Sequence, residues 1–329
     1  MEFPKKRFVR SVGLMIGSIV GVGIFGLPYV FAQVGWGVGM LVLTFLSGTN
    51  AILLLMYTDI VMHTPGNHRL PGNVAAYLGT GWGKVSLIAL AVGMWGGMSA
   101  YTIAGGRFLS ELTGMGGVAE SFLGVAFLGA VAFVSYHGIR RVAKSELFLL
   151  AILLFLFAII VVSSLPRASF ANIVPLHWDR TLMAYGVIFF SLTGGIGIIP
   201  EMKAVLGNNR RLPHAVLVGA FWIFLLYAVL TFAVVAATGG NTSPFAIDAL
   251  IPMLGETFRF VGTALASVTV FSIFLLGSIV LRHTFERDLR LPKNAAWAAV
   301  FLPPVLAYLL GLRSFIDVLG FVGSVLAPV

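Results

Sequence analysis

"GSIVGVGIFGLPY" occupies residues 17–29, inside a long apolar run near the start of the chain. In a helix interior Gly costs about 1 kcal/mol against Ala, and Pro about 3. A run apolar enough to cross a membrane, yet carrying Gly17, Gly21, Gly23, Gly26 and Pro28, predicts a helix broken part-way through. The reason for that break is the strongest clue to function in the chain.

The surroundings fix the solvent. The 329 residues are 59% hydrophobic and only 10% charged, with a mean hydropathy of +1.00. Soluble domains carry about 25% charged residues, so the composition predicts an all-α polytopic protein with membrane lipid as its neighbour. No cysteine is present, which excludes disulfides, thiolate chemistry and Cys-based metal sites. A net charge of +9 would also suit nucleic acid, but the basic residues cluster in alternate short loops, as the positive-inside rule describes. A nucleic-acid partner is therefore not expected. The opening "MEFPKKRFVR" is basic like a signal peptide, but the apolar stretch after it is too long and lacks a small-x-small cleavage site. It reads as a cytoplasmic tail.

A spanning helix needs about 20 mainly apolar residues. Ten segments qualify: 9–33, 36–62, 82–112, 118–136, 143–164, 180–206, 214–238, 257–281, 294–311 and 314–329. Segment nine contains "LPP" and should kink. With the N-terminus cytoplasmic, only Arg107, Arg167, Arg180, Arg259 and Arg313 of the 21 Lys and Arg residues fall outside. This predicts a multi-pass protein of the cell membrane. The tenth segment ends at Val329 with no basic anchor, and the expectation is a chain that continues, with a further helix.

Segment six repeats the opening anomaly. "FFSLTGGIGIIPEMK" covers 189–203, and "GIGIIP" matches "GVGIFGLP": both run Gly-x-Gly-Ile and reach a proline within a few residues. Segments one and six open two halves of five helices, about 9–164 and 180–329, within one transmembrane domain spanning 1–329. Five is odd, so the second half enters from the opposite side and its topology is inverted. Interrupted helices in corresponding positions of two halves point to a transporter's central site. Freed amides and half-helix N-termini suit a carboxylate, while freed carbonyls suit a cation. A zwitterion matches both. The competing account of Gly13, Gly17 and Gly21 is small-xxx-small helix packing, which does not explain the repeat in segment six.

At these residues the chain resembles amino acid permeases of the amino acid/polyamine/organocation superfamily. The nearest branch is that of the amino acid and auxin permeases with the bacterial aromatic amino acid permeases. "GSIVGVGIFGLPYVFAQVGW" (17–36) resembles the first-helix signature, "AYTIAGGRFLSEL" (100–112) is similar to the third helix, and "IIPEMK" (198–203) resembles the end of the sixth. The resemblance implies a five-plus-five inverted-repeat fold of the LeuT type with discontinuous helices one and six, and secondary transport of amino acids by alternating access. By position, it implies that Ser18, Ile19, Gly21 and Gly23 offer backbone to the substrate carboxylate. Phe190, Thr193 and Gly194 would face it from helix six, and Tyr101 would close over it from helix three. Each has ordinary packing as its competing role. Helix eight in this branch often carries adjacent hydroxyl residues before a Leu-Gly pair, which in sodium-coupled members help bind the ion. Here "TVFSIFLLGS" (269–278) puts Ile273 and Phe274 near that place and Ser272 slightly earlier. That departure favours proton coupling or exchange over sodium, with no other cofactor.

Charges inside a membrane are costly, so intramembrane carboxylates are functional candidates by default. Glu201, just past the second break, is a candidate proton relay or inner gate, or else a structural ion pair. Asp59, at the inner end of segment two, is a weaker candidate for the same role beside an interfacial pair. Glu146 should sit beside Lys144 at the headgroups. Ser314 and Asp317 form a Ser-x-x-Asp pattern read as a capping box. Arg107 should face the outer vestibule or snorkel to the interface. The six histidines fall in loops or at helix ends, and no span carries paired carboxylates or two His at ligand spacing. Neither enzyme chemistry nor a metal site is expected. The alternatives to an amino acid carrier are a carrier of an inorganic cation or polyamine, and a non-transporting amino acid sensor. The pocket implied by Phe190 and Tyr101, with no acid nearby, suits neutral or aromatic amino acids.

Overall fold

The computed structural model describes residues 4–65, 68–116, 118–137, 146–173, 176–207 and 209–326. Among them there is no strand. The first run is two helices, α1 (Pro4–Ile19) and α2 (Gly23–Val34), bent by 62° at the interruption between them. Gly35, with φ +84°, then reverses the chain in one residue. α3 (Trp36–His63) runs back to the end of the bundle that holds the N-terminus.

A short helix, α4 (Leu70–Leu78), follows and was not expected. Its sequence lies in a stretch punctuated by Pro65, Pro71, Gly72 and Gly79, which reads as loop. Pro71 nevertheless stands in the first helical turn, where its missing N–H costs nothing. α5 (Thr80–Thr113), α6 (Val118–His137) and α7 (Glu146–Ser164) complete the first half. Lys144, the expected partner of Glu146, lies outside the described residues.

The sixth span is again split: α8 (Thr181–Leu192), a 3-10 segment Thr193–Ile198, and α9 (Ile199–Leu206). α10 (Leu212–Thr238) follows. α11 (Ala246–Asp288) runs over 43 residues but is two helices joined at a kink. It divides at Gly255, whose φ of +80° is non-helical. The part after the kink begins where the expected 257–281 begins and runs on beyond its expected end to Asp288. α12 (Lys293–Leu309) carries Pro303 and Pro304 in its interior. α13 (Phe315–Phe321) closes the described chain with a π-turn, Val322–Leu326.

Seven helices of the described residues are long and apolar enough to cross a membrane, and the bent α1–α2 pair makes eight. α12 and the α13 run supply the ninth and tenth expected segments. The outward faces are apolar, with Phe45, Ile52 and Met56 of α3, Phe155 of α7 and Leu309 of α12 all exposed. Such a surface is stable only against lipid. The core is the pair of broken spans. α1 packs on α9 and on the 3-10 segment, α2 packs on α8, and α10 lies against α1, α2 and α3. Val22, Leu27, Val30, Phe31 and Val34 are wholly buried there.

One expected local bond is not made. Ser314 does stand at the N-cap of α13, but its side chain makes no cap bond. Ser314 and Asp317 are both exposed, and the helix start is held by backbone alone, Val318 N–H donating to the Ser314 carbonyl at 3.1 Å.

Candidate functional site

The two interruptions meet at the centre of the bundle. In the first, Val20 N–H donates to the Ile16 carbonyl (2.9 Å), and Gly21 N–H turns back to the Ile19 carbonyl (2.8 Å). α2 restarts with Ile24 N–H to Gly21 (3.3 Å) and Phe25 N–H to Val22 (3.1 Å). Among these described backbone bonds the Val22 N–H has no acceptor. It opens the N-terminus of α2, the positive end of that helix.

Two glycines are required by close approach. A Cβ on Gly194 would collide with the Ser18 carbonyl and lie 3.2 Å from Ile19 Cα. A Cβ on Gly23 would collide with Ser191 Oγ and lie 3.0 Å from Ser191 Cβ. The backbones of the broken spans therefore touch at Ser18–Gly194 and Gly23–Ser191. A third contact comes from α5: the Tyr101 hydroxyl lies 3.2 Å from where a Cβ on Gly21 would be, with Ile273 Cγ2 of α11 at 3.8 Å.

The structure thus gathers Ser18, Ile19, Gly21, Gly23, Tyr101, Thr193 and Gly194 at one place. The hydroxyls of two of them are used locally: Ser18 donates to the Met15 carbonyl (3.0 Å) and Thr193 to the Phe190 carbonyl (2.8 Å). Phe190 extends toward α5, its Cζ 3.6 Å from a Cβ position on Gly97. Ser272 does not reach the breaks. It is buried on α11 and donates to the Val268 carbonyl (2.7 Å), while its neighbours Ile273 and Phe274 face the centre. The Phe274 ring lies 5.6 Å from that of Tyr101.

Two residues that sequence reasoning passed over hold the breaks in shape. Asn50 of α3 donates from Nδ2 to the Leu192 carbonyl (3.0 Å). Tyr227 of α10 donates to the Ser191 carbonyl (2.7 Å) and reaches the Ile19 carbonyl at 3.4 Å.

The two ends of the site differ. Ile19 to Pro28 are buried, whereas Gly17, Ser18, Thr193, Gly194 and Gly197 are partly or largely exposed. The site is therefore more open toward the end that holds the N-terminus. At that end Arg69 Nη2 meets Glu201 Oε1 at 3.3 Å, and Lys203 Nζ donates to the Val61 carbonyl (2.7 Å). Glu201 Oε2 is buried without a partner. Asp59 is not brought to the site: its side chain is 70% exposed and pairs with His63 at 3.2 Å.

The opposite end is sealed. Four buried rings form a chain: Phe25 to Phe108 (5.2 Å between centroids), Phe108 to Phe245 (5.6 Å) and Phe245 to Phe315 (4.4 Å). Beside them Arg107 binds Asp248 (2.8 Å), Glu111 (2.9 Å) and Glu120 (3.3 Å). Arg107 does not snorkel. Three carboxylates from α5, α6 and α11 hold its guanidinium in place, and a charge so paired gains more than a lone one at the interface.

No group of three or more His, Asp or Glu able to hold a metal occurs among the described residues. The polar groups free at the centre are backbone amides, backbone carbonyls and a tyrosine hydroxyl. The family model for the tryptophan/tyrosine permease family matches residues 4–329. The chain belongs to the tryptophan/tyrosine permease family. It is an amino acid transporter with a LeuT-type fold.

Among relatives, tyrosine-specific transport system 1 of Haemophilus influenzae is 22% identical over 98% of this chain and 85% of that protein. Glutamine transporter 2 of Aliivibrio fischeri is 22% identical over 97% of this chain and 85% of its own length. In architecture, this permease is similar to the crystal structure of MhsT in complex with L-phenylalanine. The TM-score is 0.74 at 18% identity, covering 97% of this chain and 86% of that one.

Proposed function

We propose that this permease carries neutral or aromatic amino acids by alternating access, with the substrate held at the junction of the two breaks. The observation that carries the reading is the backbone contact of Ser18 with Gly194 and of Gly23 with Ser191, beneath the Tyr101 hydroxyl. A carboxylate is matched by the amides at the start of α2, and an ammonium by the carbonyls at the end of α1. The side chain is left to Phe190, Tyr101, Ile273 and Phe274, an apolar and aromatic set without a carboxylate. The named substrates of the relatives, tyrosine and glutamine, and the phenylalanine of the structural neighbour are of this class.

In this reading the N-terminus is cytoplasmic, the more open end is the inner one, and the Phe25–Phe315 ring chain closes the outer path. The halves 9–164 and 180–329 move as inverted repeats. Glu201, paired with Arg69, is the inner gate. Asp59, exposed beside His63, has the weaker claim to that role. The apolar pair Ile273 and Phe274 on α11, with Ser272 bonded within its own helix, supports proton coupling or exchange rather than sodium.

Counterflow in proteoliposomes tests the proposal. Vesicles loaded with unlabelled amino acids should accumulate labelled phenylalanine or tyrosine saturably, and Gly21→Leu or Thr193→Leu should abolish this. A folded protein that exchanges no amino acid would overturn it.

A further inference from the structure

Tyr227 is fully buried, lies on α10, and belongs to neither broken span. Its hydroxyl donates to the Ser191 carbonyl at 2.7 Å and reaches the Ile19 carbonyl at 3.4 Å. These are the carbonyls released at the last turns of α1 and α8, one from each interruption. Broken helices in transporters commonly satisfy such carbonyls with a bound cation, and a hydrogen-bond donor shared by the two is the other group that can do so. Here the chain supplies that group itself, as a neutral O–H. Gly21 N–H also donates to the Ile19 carbonyl, so that carbonyl is satisfied from within the protein.

We propose that the Tyr227 hydroxyl is a positioning residue that stands in for a cation between the two breaks, so that this permease joins its broken helices without sodium at that place. The proposal rests on reading the breaks as the substrate site, but its test does not need the substrate. Removing the hydroxyl takes the donor from the Ser191 carbonyl and leaves the Ile19 carbonyl with its Gly21 N–H alone, and a small cation then gains a site that wild type does not offer.

The experiment is thermal unfolding of the purified full chain in detergent, in sodium, potassium or choline chloride at equal ionic strength. Wild type should melt at the same temperature in all three. Tyr227→Phe should melt about 5 °C lower in choline and regain most of that loss in sodium but not in potassium, since a ligand that binds only the folded state raises its stability. A wild type stabilised by sodium over potassium would overturn the proposal, as would a Tyr227→Phe protein that loses stability equally in all three salts or loses none. If Tyr227→Phe cannot be purified folded, the wild-type comparison alone decides in the same way. If counterflow finds no amino acid exchange while these melting shifts appear, the transport reading fails and the Tyr227 assignment stands.

Discussion

Gly194 and Gly23 look alike in sequence, each a glycine beside a break, but what they touch differs. A Cβ on Gly194 meets the Ser18 carbonyl, which is backbone. A Cβ on Gly23 meets Ser191 Oγ first, a side-chain atom, with Ser191 Cβ at 3.0 Å and Cα at 3.1 Å behind it. Overpacking against a fixed group costs about 1–3 kcal/mol, equivalent to roughly 5- to 150-fold in an equilibrium constant. Gly194→Ala should therefore reduce counterflow at least tenfold, and Gly23→Ala by clearly less. A Gly194→Ala protein with unimpaired counterflow would show that the two backbones do not meet as described. Asn50 offers a second test. Asn50→Leu removes the Nδ2 donor to the Leu192 carbonyl and leaves a buried acceptor unsatisfied, at about 1–3 kcal/mol. A lower melting temperature should result, with the protein still inserted in the membrane. At this level the sequence was only half legible. Gly and Pro inside an apolar run are a local signal, so both breaks could be placed from residues 17–29 and 189–203. Asn50 and Tyr227 carry no such signal: each is one polar residue on an apolar helix, and its partners lie 142 and 36 or more positions away.

The helices assign opposite tasks to the two ends of the bundle. Where α9 meets the segment before α4, Arg69 and Glu201 form one ion pair with side chains 23% and 42% exposed. A pair this exposed contributes little to stability, so its effect should appear in opening and closing. Arg69→Glu should slow counterflow several-fold, and Glu201→Arg in the same chain should restore it; failure of the pair to rescue would remove Glu201 from the gate. At the other end Arg107 ties α5 to α6 and to the start of α11, beside the four-ring chain. Arg107→Gln leaves three carboxylates facing one another, and the seal should loosen. The chain has no cysteine, so a single cysteine at Ala104, buried below Phe108, reports this directly. Its labelling by an impermeant thiol reagent from that end should rise at least tenfold in the Arg107→Gln background. Glu201 was legible as an inner gate or ion pair and Arg107 as an outer residue, but their partners and the ring chain were not. Phenylalanine is common in this chain, with 27 copies, and nothing local marks the four that stack. The Arg107 partners come from three helices, and only the fold brings them together. The short α4 was hidden for a different reason, since its prolines and glycines signal a loop even where one proline begins a helix.

For the molecule as a whole, the inverted five-plus-five order explains why both breaks sit at one depth. Each half opens with its interrupted helix, and turning one half over brings the two interruptions together back to back. The exposure of Gly17, Ser18 and Gly197 beside the burial of Ile19 to Pro28 describes a carrier open at one end and shut at the other. In the proposed reading, substrate fills the junction before this carrier closes. Thr193 sits in that junction and on its open side. A single cysteine at Thr193, in this otherwise cysteine-free chain, should react readily with a thiol reagent applied from the N-terminal side in proteoliposomes. Saturating phenylalanine or tyrosine should slow that reaction at least fivefold, with half-protection near the concentration that half-saturates counterflow. Labelling at the same rate with and without an amino acid that the vesicles demonstrably exchange would place the substrate elsewhere and contradict the account.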